Sequence, residues 1–160
     1  MTGELGTLRT IRNRRLDKAT AFRQSCDRKL AAARQAAAAA AEALRSAELS
    51  GRKRIEDMYQ KLFAAGTCTV KDLDDVRFTE AQLRERLAQL AKEEKDALAA
   101  VDEAVAELEK ARQQVASLSA ALEAIDLLGA EQDAEQRIEE ARAEDEIIDE
   151  VALLRSAGSA

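Results

Sequence analysis

Residues 76–125 read VRFTEAQLRERLAQLAKEEKDALAAVDEAVAELEKARQQVASLSAALEAI, and one periodicity runs through all of them. Steps of four and three in alternation lead from Val76 to Glu80, Leu83, Leu87, Leu90, Glu94, Ala97 and Val101. They continue through Ala104, Leu108, Ala111, Val115, Leu118 and Leu122 to Ile125. Only Glu80 and Glu94 among these are polar, and the residues between are mostly Glu, Lys, Arg, Gln, Asp and Ala. A mean spacing of about 3.5 residues held for about seven heptads is the a/d seam of a left-handed coiled coil. A helix on a globular core rarely keeps so narrow a stripe for so long. This helix therefore needs a long partner helix.

The remainder of the chain can supply one. From Leu8 a helical stripe begins with Leu8 and Ile11, is interrupted at Arg15 with Leu16 beside it, and continues as Ala19, Phe22, Cys26, Leu30 and Ala33. The alanine-rich run 31–43 favours helix, since Ala is the best helix former. The stripe resumes at Leu44, Ala47, Ile55, Met58 and Leu62, and Gly51 marks a slip in the rhythm where a slight irregularity is expected. Residues 65–69 (Ala65-Gly66-Thr67-Cys68-Thr69) then read as a turn. Gly66 is placed to end the first helix, and Thr69 with Asp72 three residues on is placed to cap the second. So short a connection makes the two helices antiparallel.

The expected fold is all-α: one elongated domain over 1–160, a long two-helix antiparallel coiled-coil hairpin. Helix one spans about 8–64, the turn about 65–69 and helix two about 70–155. Residues 1–7 are expected to fray. Residue numbers of facing partners should sum to about 135, so Ile125 falls opposite Thr10, and the alanine run falls opposite roughly 92–104, which holds Ala97, Ala99, Ala100 and Ala104. Beyond Gly129 the second helix overhangs the hairpin, leaving nothing in the chain to cover its apolar face.

Composition agrees. The 160 residues contain no Pro, His or Trp, and only three Phe and one Tyr. That is the profile of a long helix with a thin core rather than of a compact domain. No stretch is long and apolar enough for membrane insertion, and the N-terminal arginines have no apolar segment behind them that would make a secretory signal. Charge is unevenly spread: net +7 over residues 1–61 and −13 over residues 62–160. Such asymmetry points to internal pairing or to charged partners.

Catalytic chemistry is not expected. Without His, neither Cys26 nor Cys68 has an activating base. Cys26 reads as a small core residue and Cys68 as an exposed loop thiol. The two match no zinc or redox spacing, and no Gly-rich phosphate loop occurs. Glu80 and Glu94 lie about 21 Å apart along one helix, too far for joint acid–base work. They read as seam positions that snorkel outward or set register. No enzyme, cofactor or metal is expected.

Three features remain for binding. The basic start, with Arg9, Arg12, Arg14 and Arg15, reads either as a solvated, partly neutralised face or as a protein-docking face. It lacks the interleaved aromatics of a nucleic-acid surface, and no nucleic-acid partner is expected. The acidic end, with Ile147, Ile148, Val151 and Leu154 embedded in it, reads as an uncovered amphipathic helix suited to a partner, or as a frayed or self-associating end. The turn carries Arg52, Arg54, Lys71 and Arg77 near Tyr59, Phe63 and Phe78, and reads as a contact point or a solvated tip.

These features together resemble a known family. An Arg-rich start (Leu8-Arg9-Thr10-Ile11-Arg12-Asn13-Arg14-Arg15) leads into two long helices with a Gly turn (Ala65-Gly66-Thr67). The chain then closes on Glu144-Asp145-Glu146-Ile147-Ile148-Asp149-Glu150-Val151-Ala152-Leu153-Leu154-Arg155. This is similar to the YscO/FliJ family of bacterial type III secretion, the YscO/HrpO branch especially. The resemblance implies a cytoplasmic protein, peripheral to the inner-membrane secretion apparatus, and the hairpin register implies a monomer when free. The resemblance also implies a stalk that enters the hexameric secretion ATPase ring, links it to the cytoplasmic domain of the export gate and, in some members, binds secretion chaperones. On that reading Arg9, Arg12, Arg14, Arg15, Ile147, Ile148, Val151, Leu154 and Arg155 belong to the ring end, and Arg52, Arg54, Lys71 and Arg77 to the gate end. A holding chaperone or assembly scaffold without ATPase coupling is the alternative.

Overall fold

In the computed structural model, described here for residues 3–157 and for side chains through Leu153, the chain forms two helices, α1 (Gly3–Ala64) and α2 (Val70–Ala157). They make an all-α helical hairpin. The residues between them form the turn that the sequence places there. At Gly66 the backbone takes φ of 70°, a left-handed conformation that costs glycine little. Its N–H donates to the Phe63 carbonyl at 3.4 Å, one of the bonds that close a helix C-terminus of this type.

The start of α2 is a reciprocal capping box. The Asp72 N–H donates to Thr69 Oγ1 at 3.2 Å, and the Thr69 N–H donates back to Asp72 Oδ2 at 2.9 Å. The Thr69 hydroxyl adds a third bond to the same carboxylate oxygen at 2.6 Å. The hydroxyl bond first, and the backbone bond with it, hold the Asp72 carboxyl below its ordinary 3.8.

Contacts divide the chain into two units. The first comprises Met1–Phe22 with Ala111–Ala160, and the second Arg23–Lys110. In the second unit the seam of α2 is covered throughout. Val76, Leu90 and Leu108 are buried, and Glu80, Leu83, Leu87, Glu94, Ala97, Val101 and Ala104 are half-buried. Opposite them α1 buries Cys26, Leu30 and Ala37. Lys29 pairs with Glu107 at 3.4 Å, within one residue of the expected register. Small side chains from the alanine run share this face: Ala33 and Ala40 are half-buried beside the buried Ala37. The first unit buries Ala19, Ala111 and Ile125 and pairs Arg9 with Asp126, again on the expected register.

Three expectations need correction. First, α1 begins at Gly3, not near Leu8. The Thr7 and Thr10 hydroxyls bond back to the carbonyls of Gly3 and Gly6 at 2.9 Å. Coverage of α2 also runs one step past Ile125 to a buried Gly129. Each Gly costs a helix only about 1 kcal/mol, too little to hold the helix start back to Leu8.

Second, Leu8, Ile11 and Phe22 lie off the packed face, with Phe22 51% exposed. The covered positions at 3-4 spacing back from Cys26 are Arg23, Ala19, Leu16 and Arg12. The 3-4 rhythm is kept, and arginine stems occupy steps of it, as long amphipathic side chains can. The Arg23 Nε is buried without a hydrogen bond, its nearest acid being Asp27 at 4.0 Å.

Third, α1 passes through Gly51 without a break. Gly51 is itself buried. A Cβ built there would lie 2.6 Å from one Leu83 methyl carbon and 3.0 Å from Leu83 Cγ. The rhythm slips because the missing side chain is a notch that receives Leu83, which is a different reason from helix irregularity.

Candidate docking interface

The first unit positions the basic start and the acidic end, and gives them different environments. Arg9 Nε lies 2.9 Å from Asp126 Oδ1, and its Nη2 donates to Oδ2 at 3.5 Å. Arg9 is thus largely spent on a pair across the hairpin. Arg12 is half-buried on the packed face, while Arg14 and Arg15 are exposed. Of the arginines assigned to this end, Arg14 and Arg15 therefore offer the most accessible charge.

Ile147, Ile148 and Val151 are exposed, at 61%, 64% and 43%, as expected for a segment past the cover of α1. The side chains of Leu154 and Arg155 lie outside the described residues. Asp126, the partner of Arg9, precedes Ile147 by roughly 30 Å of helix at 1.5 Å per residue. The arginines and the isoleucines thus form two separate patches on one unit.

The second unit carries the turn. Arg52, Arg54, Lys71 and Arg77 are all exposed there. With them stand exposed apolar side chains: Phe63 is 81% exposed and Phe78 64%, both expected near the turn, and Val70, which the sequence did not single out, is 77% exposed. Tyr59 stacks on Phe63 with ring centroids 6.4 Å apart and donates its hydroxyl to Glu80 Oε1 at 3.1 Å. The hydrogen bond to Glu80, and then its negative charge, raise the Tyr59 phenol above 10.0.

Glu80, one of the two polar seam residues, is thereby answered from the opposite helix. A shallow groove beside this bond is lined by Arg52, Ile55, Glu56, Tyr59, Glu80 and Leu83. The signal that could have singled out Val70 and Phe78 was available: neither lies on the 3-4 stripe, so each had to face away from the packing.

Among the described residues no three His, Cys, Asp or Glu side chains gather as a metal site. No described helix is long and apolar enough to cross a membrane. What both units offer is exposed apolar side chains bordered by charge, the chemistry of protein docking.

Comparison with curated proteins and with solved structures returns no match. Among protein families, the one described as Type III secretion protein YscO matches residues 5–153. That span takes in α1 from its first turns, the whole connection and α2 through the exposed isoleucines, so the chain belongs to the YscO family of type III secretion proteins.

Proposed function

We propose that this type III secretion protein is a non-enzymatic stalk and adaptor, similar to FliJ-type stalks. It couples the export ATPase ring to the cytoplasmic domain of the export gate at the cytoplasmic face of the secretion apparatus. The observation that carries this reading is the uncovered stretch of α2, where Ile147, Ile148 and Val151 keep roughly half their surface or more in water. An acidic, apolar helix end with no cover of its own suits insertion into a surrounding partner. The arginines at the start of α1 would add steering and orientation, and the exposed Phe63, Val70 and Phe78 with Arg52, Arg54, Lys71 and Arg77 would meet the gate. Secretion chaperones are further candidates for the same exposed surfaces.

A single asymmetric hairpin inside a symmetric ring touches each ATPase subunit differently. Differential contact is what shifts a conformational equilibrium, so the stalk would bias subunits in turn without doing chemistry. The test is a titration of the monomeric protein into the export ATPase, following hydrolysis and hexamer formation together. Stimulation that disappears on deleting residues 144–155 is expected. No change in either signal, with an otherwise competent ATPase, would replace this reading by a holding chaperone or scaffold.

A further inference from the structure

The last third of α2 carries a second apolar stripe that the hairpin does not use. Leu127, Ala134, Ala141 and Ile148 recur every seven residues, and Ile138 follows Ala134 by four. At about 100° per residue these five lie roughly opposite Ile125 around the helix. Their exposure agrees with that placement: Ile125 is 5% exposed, whereas Leu127, Ile138 and Ile148 are 67%, 53% and 64% exposed. Ala134 and Ala141 are exposed as well. The stripe starts beside Asp126, where the other side of α2 is still held by Arg9. An occupant could therefore bind without opening the hairpin.

A heptad stripe is the surface one helix presents to another. Its alanines leave room for bulky side chains from the partner. Charge decides which helix fits. Glu131 and Asp145 take the same heptad position as Ile138, Glu135 and Asp149 border the stripe, and residues 131–150 hold ten acids against Arg137 and Arg142 alone. A second copy laid here would set this acidic face against itself, and like-charge juxtaposition is strongly disfavoured at an interface.

We infer that the Leu127–Ile148 stripe docks a basic amphipathic helix of another protein, with apolar residues at heptad spacing and Lys or Arg on both flanks. The inference rests on the reading of this end as a docking end and names the chemistry of what docks.

The test uses the full chain and a synthetic helical peptide of Leu and Lys with Leu at heptad positions, beside a counterpart in which Glu replaces Lys. Fluorescence anisotropy should show binding of the Leu/Lys peptide only, weakening with added salt. The combined Leu127→Ser, Ile138→Ser and Ile148→Ser variant should bind at least about tenfold more weakly while keeping its helicity, because all three side chains are exposed. Leu98→Ser, also exposed but in the second unit, should bind as the parent does.

No binding by the parent, equal binding by the triple variant, or equal loss from Leu98→Ser would overturn the inference. So would a parent dimer in sedimentation that the triple variant turns into a monomer, since the occupant would then be a second copy. Failure is separable from failure of the stalk reading. Peptide binding with the expected pattern but no ATPase stimulation removes the stalk and leaves the stripe. ATPase stimulation by the parent, with no peptide binding by the parent, removes the stripe alone.

Discussion

Gly51 and Leu83 are one packing unit written at two distant places in the chain. An alanine at position 51 would gain about 1 kcal/mol of helix propensity, but its Cβ would meet the Leu83 methyls that now fill the notch. The two effects separate in a double-mutant cycle. Gly51→Ala should stabilise a Leu83→Ala background by about 1 kcal/mol and should gain less than that, or lose stability, in the parent, as read by urea denaturation. A coupling near zero would mean that Leu83 does not occupy the notch.

Tyr59 permits a cleaner measurement, because it is the only tyrosine and the chain has no Trp. Its phenol is raised above 10.0 by Glu80. The stability it contributes is therefore complete below pH 10.0 and lost as pH rises through the higher folded value. Absorbance at the tyrosinate band should titrate above 10.0 in the folded parent and shift downward in Glu80→Gln. An unchanged titration would remove the bond.

Helices and their connection show where sequence periodicity is a reliable guide and where it fails. The seam of α2 was legible from Val76 to Ile125, since thirteen apolar residues at fixed spacing leave one consistent face and every one of those positions is covered. The turn was legible because Gly66 and the Thr69–Asp72 spacing each have a single structural use there. The start of α1 was not. Arg12 and Arg23 take steps of the packed face while Leu8, Ile11 and Phe22 stand outside it, so residue identity and geometry give different stripes. On the candidate interface, exposed cations were easy to name. That Phe78 is bare followed from its place off the stripe, whereas that Arg9 is already paired depends on which carboxylate its side chain reaches across the hairpin, which periodicity does not give.

Two tests belong to the scale of the element. Thr69→Ala should destabilise the hairpin by about 1 kcal/mol through loss of the cap, measured by thermal or urea unfolding. The Asp72 side of the same box has a pH signature. Its carboxyl is held below 3.8, so its contribution is present above pH 3.8 and fades as pH falls through the lower folded value. The fading should be absent in Asp72→Asn. In mid-seam, Leu108 is 3% exposed, and Leu108→Pro should cost about 3 kcal/mol or more, read as lost helicity and a lower Tm. Full helicity in that variant would contradict an unbroken α2.

For the whole molecule, the relevant quantities are charge and exposed apolar surface. The net charge of −6 hides a basic first part and an acidic second part, and two of the arginines of the basic part are drawn into the fold at Arg9 and Arg12. Exposed ion pairs such as Arg9–Asp126 contribute only about 0–1 kcal/mol, so that pair fixes how the helices meet more than how stable they are. The charges left over, Arg14 and Arg15 among them, are free to steer association. On the proposed stalk reading, replacing both with Gln should slow association with the export ATPase and flatten its dependence on salt, with the fold unchanged by circular dichroism. An association rate that the substitution leaves unaltered would place the steering charge elsewhere.

The two cysteines differ in a way that supplies a native probe. Cys26 is 1% exposed within α1, whereas Cys68 stands open in the connection between the helices. A maleimide dye added to the folded chain would thus label one position, a few residues from Phe63 and Val70, without any engineering. Its reaction rate, compared with and without an added partner, would report whether that end of the hairpin is covered.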